Sequence, residues 1–251
     1  MAQKGFSAFV GLAKTNPTSF IGCNDSLEGG MPAVPYTCEA RSIDAFLAQV
    51  VRYVSSGHCF YIRCRIPDGK DPIAVDEKIV GLYDVQRSRW QRKRRNLKTT
   101  AGIHYLRYGR LFVVMLTKGQ HEAFYRDHGA SVLDIRRTAL KAFGYSIRLG
   151  YSEVAKRWRV SVRLDKETYR RVKSHMLTVC TWPAYRSKET MEQQFRGLPY
   201  QVYGPVREQL YIIARTVNRI RGRTGLLPVD YQCISNKMRV TKVFADPAAS
   251  N

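Results

Sequence analysis

Apolar residues recur at helical spacing soon after the first forty positions. Ile43, Phe46, Leu47, Val50 and Val54 fall on one side, Ser42 stands where a cap is needed, and Ser55-Ser56-Gly57 ends the run, so the spacing predicts a helix. The period then drops to two. In HCFYIRCRIP, Phe60, Ile62, Cys64 and Ile66 alternate with Tyr61, Arg63 and Arg65, which predicts a strand with one dry face and one cationic, aromatic face. PDGKDP turns the chain. Asp71 and Pro72 supply an N-cap and first-turn pair, and Val75, Ile79, Leu82 and Tyr83 give the following helix its inner stripe.

Further along, IHYLRYGRLFVVMLTKG predicts two strands folded about Tyr108-Gly109, the second apolar on both faces and therefore central in a sheet. HEAFYRDHG predicts a short helix ended by Gly129. YSIRLGY and RWRVSVRL form the clearest hairpin: Tyr145, Ile147 and Leu149 are expected to face inward with Trp158, Val160, Val162 and Leu164, leaving Arg148, Arg159 and Arg163 outward with Ser146 and Ser161. Asp165 caps the helix that follows. Another helix begins near Ser187, and GPVREQLYIIARTVNRIRGR places Val206, Leu210, Ile213, Val217 and Ile220 on a single stripe.

The expected class is α+β: a mainly antiparallel sheet, compatible with a ferredoxin-like core, with helices packed on it and a helical C-terminal subdomain. Three regions are expected: an irregular arm over 1–40, rich in Gly, Pro, Ser and Asn; an α+β core over 41–182; and helices over 183–251.

Charge changes the picture from fold to partner. Forty-two Lys and Arg stand against 20 Asp and Glu, a formal net charge of +22 and a pI near 10.0. A folded chain that carries such self-repulsion is matched by a polyanionic partner, nucleic acid first. No apolar run reaches membrane-spanning length, and the N-terminal residues lack the pattern of a signal peptide, so an intracellular protein, cytoplasmic or nucleoid-associated, is expected. The six cysteines are scattered without a C-x-x-C pair and are expected to be buried free thiols.

The densest charge is RSRWQRKRRNLK over 87–98. Arg87, Arg89, Arg92, Lys93, Arg94, Arg95 and Lys98 surround Trp90 with no acid among them. As a helix it would be cationic all round, so it is read as a basic arm that follows a phosphate backbone, with Trp90 pinning it to the body or stacking on a base. A membrane-surface helix would need several bulky apolar residues on the face opposite the charge, and this stretch, with Trp90 as its one large anchor, does not supply them. With Tyr61, Arg63, Arg65, Arg148, Arg159 and Arg163, the arm forms the expected nucleic-acid-binding set. Arginine forks bind phosphate and aromatic rings take unstacked bases. RNA is favoured slightly over DNA, in the setting of an accessory factor of a mobile element or a ribonucleoprotein.

A catalytic alternative also follows from the order of elements, because ferredoxin-like folds include metal-independent endoribonucleases and the histidine-tyrosine nickases of replication initiation. The nickases need a histidine pair on the central strand, and LFVVMLTKGQH offers only His121, just past its end. For metal-free cleavage, His121 as base with Lys118 and Tyr125 is the best local set, and Tyr211 is the candidate nucleophile in a nickase. No phosphate-loop or dinucleotide motif is present, and neither a metal nor a cofactor is expected.

Overall fold

Two antiparallel sheets, of four and three strands, organise the residues described by the computed structural model, namely 36–86, 99–153, 155–200, 203–234 and 242–244. The basic arm 87–98, with Arg87, Arg89, Trp90, Arg92, Lys93, Arg94, Arg95 and Lys98, lies outside these residues, as does most of the expected N-terminal arm.

The first sheet grows from α1 (Ile43–Ser55), β1 (Phe60–Arg65), α2 (Pro72–Leu82), β2 (Ile103–Tyr108), β3 (Leu111–Leu116), α3 (Glu122–His128) and β4 (Leu133–Asp134). Its strands lie in the order β2-β3-β1-β4 with every neighbour antiparallel. The sequence order β1-α2-β2-β3-α3-β4 with that arrangement is the split βαβ plan of a ferredoxin-like sheet, its last strand reduced to two residues. The predicted caps hold the helices: Ser42 Oγ accepts from Ala45 N at 3.1 Å, and both Asp71 carboxylate oxygens accept from the first turn of α2.

This sheet is covered on both sides. Phe112 to Leu116 of β3 are all buried, although successive side chains point to opposite faces. α2 and α3 cover the side of Tyr105, whose hydroxyl bonds to Asp76 of α2, and Tyr83 at the end of α2 packs edge-on against Phe124 of α3 at 5.4 Å. The other side, with Tyr61, Leu106, Val113 and Met115, joins α1 and the second sheet in one continuous core.

That second sheet is β5 (Leu140–Ala142), β6 (Tyr145–Ser152) and β7 (Arg157–Leu164), in chain order. Phe143 and Gly144 make the two-residue turn from β5 to β6 with φ of 51° and 82°, the left-handed pair that a primed hairpin turn requires. Phe143 is held in this conformation by its ring, which packs edge-on against Phe46 at 5.3 Å and Tyr108 at 5.4 Å. The inner face, with Leu140, Tyr145, Ile147, Val162 and Leu164, is buried against α1, α4 (Lys166–Val179) and α6 (Gly204–Arg223).

The residues after 183, read from sequence as a helical subdomain, supply α5 (Lys188–Arg196) and α6. Met191 and Phe195 of α5 and Val206, Leu210, Ile213 and Val217 of α6 belong to the same buried cluster as the second sheet. From Thr37 onward the described residues form one compact unit. Gln209 of α6 also caps the last residue of β7 at its free edge: its Oε1 accepts from Leu164 N at 2.8 Å and its Nε2 donates to Leu164 O at 3.2 Å. No helix among the described residues is long and apolar enough to cross a membrane.

Candidate nucleic-acid interface

The outer face of the three-stranded sheet is cationic and open. Register across β5, β6 and β7 pairs Lys141 with Ser146, Ser146 with Arg163, Arg148 with Ser161, Gly150 with Arg159 and Ser152 with Arg157, which puts all of these on one face. Lys141, Arg148, Arg157, Arg159 and Arg163 are exposed, and the positions between them are Ser or Gly. Among the described residues no acid occupies the face. Same-face positions along a strand recur about every 7 Å and strands lie about 4.8 Å apart, so these side chains form a two-dimensional array of charge. The side chains of Arg157, Arg159 and Arg163 make no hydrogen bond or ion pair with another described residue, which leaves their forks available to a ligand.

The array extends at its margins. Arg148 Nε donates to Arg136 O at 3.2 Å, which brings the loop carrying exposed Arg136 and Arg137 against the face. The Arg136 fork is engaged by Asp134, whose carboxyl this contact holds below its ordinary range. Arg63, exposed on β1, donates through Nη1 to Lys141 O at 2.7 Å. Arg65 stands further along β1, exposed and loosely paired with Asp68 at 3.4 Å.

Tyr61 requires a correction. Alternation places it with Arg63 and Arg65, but that side of β1 runs under the second sheet, and only its far end reaches solvent. Tyr61 is 2% exposed, its hydroxyl donates to Thr138 O at 3.1 Å, and burial pushes its pKa up to about 12. It offers no ring to a base. Trp158 departs from its expected inward position in the opposite sense: it is 55% exposed, because the hairpin runs past the helices that cover the rest of the inner face.

The candidate catalytic residues separate into different settings. His121 is the N-cap of α3: its Nδ1 accepts from Phe124 N at 3.3 Å, which leaves the proton on Nε2, 3.3 Å from the carbonyl of Tyr83. Both ring nitrogens are thus committed to backbone partners, and the ring is buried against Tyr83 and Phe124. Tyr125 packs on Phe124 at 5.8 Å, and burial raises its pKa. Lys118 is exposed and lines a separate open depression of about 320 Å³ with Gly57, Thr99, Thr100 and Thr117. Tyr211 is half-buried on α6, edge-on to Tyr231 at 5.8 Å. Among the described residues no three His, Cys, Asp or Glu side chains gather as a metal-holding group. The cysteines among them are free, and burial raises the thiol of Cys233 to about 11, away from reactivity.

Several arginines serve the fold instead. Arg107 of β2, 4% exposed, donates from Nε to both oxygens of Asp76 at 2.9 Å and from its two terminal nitrogens to Glu39 at 3.0 Å. Burial opposes its charge, and the two carboxylates outweigh that and hold it above its ordinary pKa. Arg221 of α6, fully buried, meets no carboxylate among the described residues; it donates to the carbonyls of Leu227, Cys180, Tyr185 and Arg186 at 2.7–3.1 Å.

Sequence reasoning missed Lys141, Arg136, Arg137 and Arg157 as parts of the face. Arg157 was legible, since it shares its parity with Arg159 and Arg163; Lys141 was not, because β5 is three residues long. The sequence matches no protein-family model and no curated protein.

Proposed function

We propose that this protein binds nucleic acid through the sugar–phosphate backbone, using the outer face of β5–β7. The observation that carries the reading is the array of Lys141, Arg148, Arg157, Arg159 and Arg163, exposed on one face with only Ser and Gly between them. A solvated surface ordinarily interleaves both signs of charge, and this one does not. Small residues between the arginines keep the face low, so that a rigid backbone can lie against it while guanidinium forks reach phosphate oxygens. The face carries no aromatic ring, so its contacts are to phosphate and position the ligand by shape. The seven cations of the 87–98 arm add to the same attraction.

The test is equilibrium binding of the full chain to a duplex RNA, a duplex DNA and a single-stranded RNA of equal length, at several salt concentrations. The reading expects binding that weakens steeply with salt and is strongest for one of the duplexes, which identifies the partner. Salt-insensitive binding, or no binding to any of the three, overturns it.

A further inference from the structure

The β6–β7 hairpin ends in two large rings that its core does not cover. Tyr151 and Trp158 are direct cross-strand partners, 49% and 55% exposed, with centroids 5.9 Å apart and planes at 74°. A cross-strand aromatic pair steadies a hairpin end, which accounts for their contact with each other. It does not account for the rest of their surface: an edge-to-face pair occupies one edge and one face, leaving the remaining ring faces open to solvent. By parity the pair belongs to the side opposite Arg157 and Arg159. At this end the ribbon is two strands wide, since β5 pairs only with Tyr145 to Ile147. A ligand that holds one side of so narrow a ribbon is within reach of the other, as when a two-stranded ribbon enters a groove.

Charge selects the occupant. Residues 145–164 carry Arg148, Lys156, Arg157, Arg159 and Arg163 against a single acid, Glu153, which pairs with Lys156 at 3.4 Å. We propose that Tyr151 and Trp158 stack on an unpaired base of the same nucleic acid whose backbone the cationic face holds, so that the protein selects bulged or looped sites within a duplex. This inference rests on the function proposed above. It assigns the hairpin end a role the face cannot perform, since base planes are recognised by rings and phosphates by forks.

The test uses the full chain and two RNA duplexes of equal length, one perfectly paired and one with a single 2-aminopurine bulge, compared in the wild type, Trp158→Ala, Trp158→Phe and Tyr151→Ala. Stacking on one base is expected to give the wild type roughly tenfold tighter binding to the bulged duplex, with quenching of the 2-aminopurine fluorescence. Trp158→Ala is expected to bind both duplexes alike, with its affinity for the paired one unchanged; Trp158→Phe keeps most of the preference and Tyr151→Ala loses part of it. A bulge preference that is absent from the wild type, or that survives Trp158→Ala undiminished, overturns the inference while leaving backbone binding standing. Failure of the wild type to bind either duplex overturns both.

Discussion

Arg63 and Lys141 belong to different sheets, and the guanidinium of the first donates to the backbone carbonyl of the second at 2.7 Å. The bond fixes an exposed cation of β1 at the margin of the face formed by β5–β7. Part of its fork is already occupied, whereas Arg159 has its whole fork free among the described residues. Replacing Arg159 with Ala is therefore expected to lower the salt slope of nucleic-acid binding by about one, and Arg63→Ala by clearly less. Salt titrations of the two variants check the order, and a larger effect at Arg63 would contradict the placement of the interface.

The Asp76–Arg107–Glu39 network predicts an asymmetric response. Asp76 is buried, and its loss leaves the Arg107 guanidinium inside the fold with the more exposed Glu39 as its remaining carboxylate among the described residues and the Gly109 carbonyl beside it; Asp76→Ala is expected to cost about 3–5 kcal/mol. Glu39→Gln removes a partner at the rim and should cost about 1 kcal/mol. Urea unfolding of both variants measures the difference, and equal losses would show that burial does not decide the cost.

Arg221 satisfies four carbonyls at once, three of them at residues 180–186 and one at Leu227. A lysine carries the same charge but not the planar fork, so Arg221→Lys should recover little of the stability lost in Arg221→Ala, which is expected to exceed about 3 kcal/mol. Near-complete recovery in the lysine variant, read as a melting temperature, would show that charge and not geometry matters there.

A histidine gives the fold a pH dependence. His128 Nε2 lies 2.8 Å from the Tyr83 hydroxyl, and burial, only partly offset by Asp127, lowers its pKa from the ordinary 6.5. The unfolded chain then binds the proton more tightly than the fold. Stability from the neutral ring is fully present above about pH 6.5 and is lost as the pH falls through the lower folded value. Between pH 7.5 and 5 the wild type should lose more stability than His128→Gln, measured by denaturant midpoints, and parallel curves would remove His128 from the account.

The elements that were legible in the sequence were those whose capping residues and periodicity agreed, such as α1 with Ser42, α2 with Asp71-Pro72 and the β6–β7 hairpin. Faces were harder to read than elements. In β1 the side shared by Tyr61, Arg63 and Arg65 is covered by the second sheet at Tyr61 and open at the arginines, so alternation alone groups a buried ring with two exposed cations. In β7 the alternation is real, yet Trp158 lies beyond the end of the core and its inward parity leads to solvent. The burial of Arg107 and Arg221 has no local signature, because the carboxylate partners of Arg107 are 31 and 68 positions away and the carbonyl partners of Arg221 lie as far as 41 away. The cationic face was half legible: parity supplied Arg148, Arg159 and Arg163, and only pairing with β5 added Lys141.

The central claim is that one face, and not the overall charge, holds the nucleic acid. It is tested most directly by comparing the triple variant Arg148→Ala, Arg159→Ala, Arg163→Ala with a second triple variant of equal charge loss on α6, Arg215→Ala, Arg219→Ala, Arg223→Ala, in salt titrations of duplex binding. Removing three phosphate contacts should reduce the slope of log K against log salt by about 2–3 in the sheet variant and leave the α6 variant close to wild type. Equal losses in the two variants would mean that the protein attracts nucleic acid by net charge alone and would contradict the assignment of the interface.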